Sequence, residues 1–305
     1  MSDAIPVLEI IACPKCHSTS MSIGDKDADC GQCKTVFPLL KGRPFLLNPE
    51  TPLYDEFHAL LKAKVKPTNS KSRFKKLFPS PPQRVWTRTS LKLIRRLLEE
   101  VNPDSPGKKV LNIGSGTDGV FKSIYSRYQK LIRIGLPLDG KIDVFGDAMN
   151  FPVKDNSVDL ILSSSVLEHI ENVELCVAEQ FRILKSGGKV YAEIPFMRAY
   201  HMEPIDYQRY TIEGIEKLFE RHGFKLIEKG VCSGPFTAMA LMWQDFCISL
   251  APGPFKFPVR IIISWLVHPF KYLDRLAESA PWTHKVACNF YYLGEKPALS
   301  SAKTL

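Results

Sequence analysis

From residue 108 almost to its end, the chain alternates short apolar runs with segments whose apolar residues recur every three or four positions. The apolar runs predict strands at 108–113, 131–136, 142–145, 158–163, 189–194, 224–231 and 285–293. The three-to-four spacing predicts helices at 120–128, 173–184 and 211–222, the last two closed by Gly187-Gly188 and Gly223. Strands and helices in alternation predict an α/β fold, a doubly wound and mostly parallel sheet of seven strands. Just before it, Val85, Leu91, Ile94, Leu97 and Leu98 predict a helix within 83–101 that Asn102-Pro103 stops.

Three stretches break this rhythm. Residues 1–50 carry four clustered cysteines. Residues 51–83, with scattered prolines and Pro79-Ser80-Pro81-Pro82, predict a linker or loosely packed arm. The alternating unit then runs over 84–297, interrupted by an apolar insertion at about 235–284. Neither apolar segment of the insertion, 236–250 or 257–270, reaches the ~18 apolar residues of a membrane span. They predict a lid over a ligand site, a surface resting on a membrane through 236–270, or plain packing against the sheet. Arg260, Lys271 and Arg275 would form a basic fringe there.

Composition narrows the picture. A chain of 305 residues holds one large α/β domain and one small module, and its apolar fraction of 45% suffices for a core. The net charge of +9 is concentrated: Lys62 to Arg96 includes twelve Lys or Arg and no acid. Such a field suits an anionic partner at 62–96, with phosphates on nucleic acid, lipid or nucleotide-linked sugar, or simply a solvated linker. The chain starts polar, with no apolar export segment, which points to the cytoplasm and to reduced thiols.

Reduced thiols make metal ligands. Cys13 and Cys16 sit on one Cys-x-x-Cys turn and Cys30 and Cys33 on another, with thirteen residues between them for a hairpin. Four thiolates at about 2.3 Å close a tetrahedral Zn²⁺ site and supply folding energy that so short a segment lacks. A redox dithiol pair is the competing reading. A closed site leaves no open position for catalysis, so the zinc would be structural. With the flanks Leu8-Glu9-Ile10-Ile11 and Phe37-Pro38-Leu39-Leu40, this segment resembles the small zinc-ribbon activator that partners methyltransferases of tRNA, rRNA and release factors. The resemblance covers about the first fifty residues.

The remaining motifs lie on the alternating unit. Val110-Leu111-Asn112-Ile113-Gly114-Ser115-Gly116 runs a strand into a glycine turn, which by itself marks a nucleotide-type ligand only weakly. Gly146-Asp147-Ala148-Met149, Asp155-Asn156-Ser157-Val158-Asp159, Val166-Leu167-Glu168-His169 and Phe181-Arg182-Ile183-Leu184-Lys185-Ser186-Gly187-Gly188 follow in order. This series resembles the Rossmann-like class I S-adenosylmethionine-dependent methyltransferases over about 108–224. The resemblance implies that Asn112, Gly114, Ser115 and Gly116 pass under the cofactor's methionine. It implies that Asp147 takes the adenine amino group, with Ala148 and Met149 beside it, and that Ser163 faces the methionine end. The acid usual at the end of the second strand is absent, so Asp139 would reach back to the ribose.

The acceptor would lie under the loop that follows the fifth strand, which offers His201, Glu203, Asp206, Tyr207 and Arg209. His201, Asp206 and His169 are candidate bases, weighed against loop fixing and an Asp206–Arg209 ion pair. No Asn-Pro-Pro-Tyr element follows the fourth strand, which sets the chain apart from enzymes that methylate adenine or glutamine nitrogen. The expected activity is O-methylation of a saccharide, lipid-linked or other small acceptor. The alternatives are an RNA or translation-protein methyltransferase, and a methyltransferase fold that serves as a non-catalytic scaffold.

Overall fold

The computed structural model describes residues 6–62, 85–114, 127–128, 130–136, 142–200 and 205–298. Four short strands open the chain: β1 (Met21–Ile23), β2 (Asp27–Cys30), β3 (Val36–Leu40) and β4 (Arg43–Leu46), each antiparallel to the next. Helix α1 (Pro52–Lys62) lies inside the stretch expected as a linker, and α2 (Arg88–Val101) follows. Thr87 caps α2, its hydroxyl accepting from the Ser90 N–H, and Asn102 at φ +43° ends it. The alternating unit supplies β5 (Val110–Ile113), β6 (Ile132–Gly135), β7 (Val144–Gly146), β8 (Val158–Ser164), α3 (Val173–Ile183), β9 (Leu184–Pro195), α4 (Ile212–Arg221) and β10 (Lys225–Ser233). The insertion becomes α5 (Pro235–Leu250), α6 (Lys256–Lys271) and the single turn α7 (Asp274–Ala277), before β11 (Asn289–Glu295).

These strands form one mixed sheet in the order β1-β2-β3-β4-β7-β6-β5-β8-β9-β11-β10. The expected seven strands are its last seven, parallel from β7 to β9, with β11 antiparallel between β9 and β10. The sheet has eleven strands rather than seven because β4 adds in parallel to the outer edge of β7, pairing Phe45 with Phe145 and Leu46 with Gly146. An unpaired three-residue edge strand would leave its amides and carbonyls open to chance partners, and β4 covers them. The predicted helix at 120–128 lies outside the described residues except at its last two positions, which are not helical. The last strand begins at Asn289 rather than 285, because Thr283–Val286 form a 3-10 turn.

Side chains alternate between two cores. Leu111 and Ile161 join Val177, Leu218 and Phe219 of α3 and α4 on one face. Val110, Leu160 and Leu162 meet Leu93, Ile94, Leu97 and Leu98 of α2 on the other. A sheet covered on both faces accounts for the unbroken apolar runs of β5 and β8. Ile10, Ile11, Cys13, Phe37 and Leu46 belong to the same buried cluster as Ile134, Phe151 and Val153, so the cysteine segment shares the core of the sheet.

Candidate cofactor site and cysteine cluster

The parallel strands leave β5 in opposite directions, to β6 on one side and β8 on the other, so their carboxyl ends frame a crevice. Gly114 ends β5 at φ +66°, and its N–H donates to the Ile134 carbonyl at 2.9 Å. A Cβ there would lie 2.5 Å from Val166 Cγ2, so both the conformation and the space require glycine. Ser163, at the end of β8, is 1% exposed, and its hydroxyl has no hydrogen-bond partner among the described residues. Asn112 is buried within β5. Ser115, Gly116, Asp139 and His201 lie outside the described residues.

Asp147 follows β7 and heads a tight turn. One carboxylate oxygen accepts from the Met149 N–H at 2.8 Å, and the backbone bridges Asp147 to Asn150. Burial, reinforced by the nearby Glu179 charge, pushes the Asp147 carboxyl above its ordinary range despite that hydrogen bond. Ala148 and Met149 form the crest of the turn. Two supports hold it. Arg182 on α3 donates to the carbonyls of Phe151 and Val153 at 3.0 and 2.8 Å, and its Glu179 partner accepts from the Phe151 N–H at 2.7 Å. On the other side, Asn150 Nδ2 donates to the Pro14 carbonyl at 2.8 Å, and Ala12 N–H to the Pro152 carbonyl at 3.0 Å. The sequence motif located Asp147 but not Asn150, whose partner lies 136 positions away.

The four cysteine sulfurs lie within 4.8 Å of one another. Cys13 and Cys33 are 3.6 Å apart, as are Cys16 and Cys30, close to the ~3.8 Å that a tetrahedron of 2.3 Å bonds requires. In both turns the residue after the second cysteine, His17 or Lys34, has positive φ, and its N–H donates to the carbonyl of the first cysteine. Two equivalent turns facing each other offer four thiols to one centre, and the donor set fits zinc.

Beyond the crevice, the loop after β9 folds back onto the turn after β8. Gln208 Nε2 donates to the carbonyls of Leu167 and Ile170, and the Tyr207 N–H to that of Glu168. His169 Nδ1 meets the Ile205 carbonyl at 2.5 Å. A carbonyl only accepts, so Nδ1 carries a proton, while Nε2 lies 3.8 Å from Glu168 Oε1. Asp206 is clasped by the Arg209 guanidinium, as the ion-pair reading of this loop expects.

A buried carboxylate that sequence reasoning passed over stands beside this loop. Glu193, on β9, accepts from Ser164 Oγ at 2.6 Å, Tyr191 Oη at 2.7 Å and Trp86 Nε1 at 3.2 Å. Every donor to it is neutral, and the lone acid among the apolar residues of β9 was the available signal.

Comparison with known proteins gives a family match at the crevice: a model described as methyltransferase domain fits residues 111–192. This segment is similar to that family of methyltransferase domains. It runs from β5 to the middle of β9 and contains Gly114, Asp147, Ser163 and His169. The chain is 31% identical over 108 residues to biotin biosynthesis bifunctional protein BioHC of Cellvibrio japonicus, covering 32% of this chain and 21% of that protein. It is 30% identical over 108 residues to ajmaline N-methyltransferase of Rauvolfia serpentina, covering 29% and 37%. The chain thus spans well under half the length of these two relatives. Among solved structures it resembles a phosphoethanolamine N-methyltransferase of Haemonchus contortus, with a TM-score of 0.42 and 16% identity, covering 68% of this chain and 53% of that one.

Three features of the matched segment fit S-adenosylmethionine. Gly114 turns the backbone at positive φ where β5 ends, Ser163 presents a buried hydroxyl with no hydrogen-bond partner among the described residues, and Asp147 is a desolvated acceptor beside a turn.

Proposed function

We propose that the chain transfers the methyl group of S-adenosylmethionine to an oxygen of a small acceptor, a saccharide or lipid-linked molecule. The observation that carries this reading is the convergence of Gly114, Ser163 and Asp147 on one edge of the sheet within the matched domain. The cofactor supplies an electrophilic methyl on a sulfonium. Asp147 would accept a hydrogen bond from the adenine amino group, and Ser163 would hold the methionine end. His169, its Nδ1 proton fixed on the Ile205 carbonyl, would take a proton from the acceptor hydroxyl at Nε2. Asp206, engaged by Arg209, would shape the loop.

In this reading residues 1–50 are a zinc-ribbon module, 51–83 a basic linker and 84–297 the methyltransferase unit. Cys13, Cys16, Cys30 and Cys33 hold one structural Zn²⁺. The test is incubation of the chain with methyl-labelled cofactor and fractionated cell extract. Label in soluble saccharides or organic-phase lipids supports the proposal. Label in RNA or in ribosomal and release-factor protein would replace it with the nucleic-acid or translation-protein reading.

A further inference from the structure

Fifteen of the twenty-one large apolar side chains exposed among the described residues lie between 239 and 282, in the insertion. On α5 they are Met239, Met242, Trp243, Phe246 and Leu250, at steps that place all five on one helical face. On α6 Ile262, Trp265 and Leu266 repeat the spacing, and Leu273 and Leu276 carry the stripe past the helix end. The interior of the pair is more polar than its outside. Gln244 of α5 and Ser264 of α6 are buried and hydrogen-bonded to each other at 2.9 Å. A hairpin surrounded only by water would place these residues the other way round.

The charges are sorted as well. The exposed ionic side chains between 235 and 285 are Lys256, Arg260, Arg275 and Lys285, all basic. The acids are turned inward: Asp274 is buried and caps α5 through the N–H groups of Phe236 and Thr237, Glu278 is bound by Thr89, and Asp245 is half-buried. Lys271, expected in the basic fringe, is 1% exposed and takes no part in it. A second copy of the chain on a two-fold axis would bring these like charges together. An anionic surface would neutralise them. Each helix has sixteen residues, about 24 Å, short of the ~30 Å hydrocarbon layer. Among the described residues no helix is long and apolar enough to cross a membrane.

We propose that the α5–α6 hairpin is a docking surface that lies in the interface of an anionic phospholipid bilayer. The apolar stripes enter the acyl boundary and Lys256, Arg260 and Arg275 meet the headgroups. This binding requires nothing of the crevice at β5 and β8, so it stands apart from the methyl-transfer reading. The experiment is flotation of the intact chain with vesicles of phosphatidylcholine, with and without phosphatidylglycerol, alongside tryptophan quenching by brominated acyl chains. The unmodified chain is expected to float with the anionic vesicles and more weakly with the neutral ones, and its tryptophan emission to shift to the blue and be quenched. Leu266→Glu, at a side chain already 67% exposed, is expected to reduce the bound fraction by roughly tenfold, and Arg260→Glu by a few-fold. Absence of flotation and quenching for the unmodified, folded chain would overturn the proposal. So would a dimer in equilibrium sedimentation that Leu266→Glu dissociates, with no vesicle binding, which would assign the face to a second copy.

Discussion

The side-chain amide of Asn150 donates to the carbonyl of Pro14 at 2.8 Å and joins the first cysteine turn to the turn that carries Asp147. Through this contact the order of the cysteine cluster reaches the crevice. Asn150→Ala removes the bond and leaves the carbonyl of the buried Pro14 without this donor, at a cost of about 1–3 kcal/mol. Amide hydrogen exchange over 147–153 is expected to quicken while that of α4 stays unchanged, with roughly fivefold weaker binding of S-adenosylhomocysteine. Chelator treatment of the zinc-loaded chain is expected to give a larger change in the same direction. Exchange unaltered by either treatment would separate the cluster from the site.

Gly114 sits where any side chain meets both a left-handed backbone and Val166. Gly114→Ala is expected to destabilise the fold by about 1–3 kcal/mol, seen as a lower urea midpoint at unchanged slope. Adding Val166→Ala removes the collision but not the strain, so it is expected to recover only part of the loss.

Asp147 titrates above its ordinary range because it is buried, so its ionised form opposes folding when no ligand is bound. The stability it contributes is complete only below the unfolded-state pKa and is lost as pH rises through the folded-state value. Asp147→Asn keeps an acceptor for the Met149 N–H. It is therefore expected to raise the melting temperature of the ligand-free chain at neutral pH, and the gain is expected to vanish in acid. The same variant is expected to lose the thermal shift that S-adenosylhomocysteine induces. A drop in melting temperature at neutral pH would contradict this account of the carboxyl.

Glu193 satisfies four neutral donors: Trp86 before α2, Ser90 on α2, Tyr191 on its own strand and Ser164 at the end of β8. Glu193→Ala leaves those donors buried without an acceptor and is expected to cost about 3–5 kcal/mol in urea unfolding. Glu193→Gln preserves one acceptor oxygen and is expected to cost less than half as much. Equal costs would show that volume rather than hydrogen bonding matters at this position.

Much of the frame was legible before any coordinates, because a sheet covered on both faces writes itself as apolar runs at β5, β8 and β9. The four cysteines were singled out by their spacing, and Gly114 and Asp147 by the resemblance of their motifs to a known family. Asn150, Glu193 and the pairing of β4 with β7 were not, since each has a partner a hundred or more positions away and none has a local periodic signal. The extra strands escaped for the same reason: Arg43–Leu46 is a short apolar segment like many others until the open edge of β7 gives it a partner. Lys271 shows the opposite failure. Read one residue at a time it belongs on a basic fringe, and only the packing of the hairpin puts it inside.

The most direct test of the central claim is calorimetric titration of the purified, zinc-loaded chain with S-adenosylmethionine and S-adenosylhomocysteine. Micromolar binding of both, abolished by replacing Gly114 with valine in a chain that still folds, is the predicted result. Absence of heat with either ligand from a folded, zinc-loaded chain would contradict the assignment of the crevice and favour a scaffold that binds proteins instead.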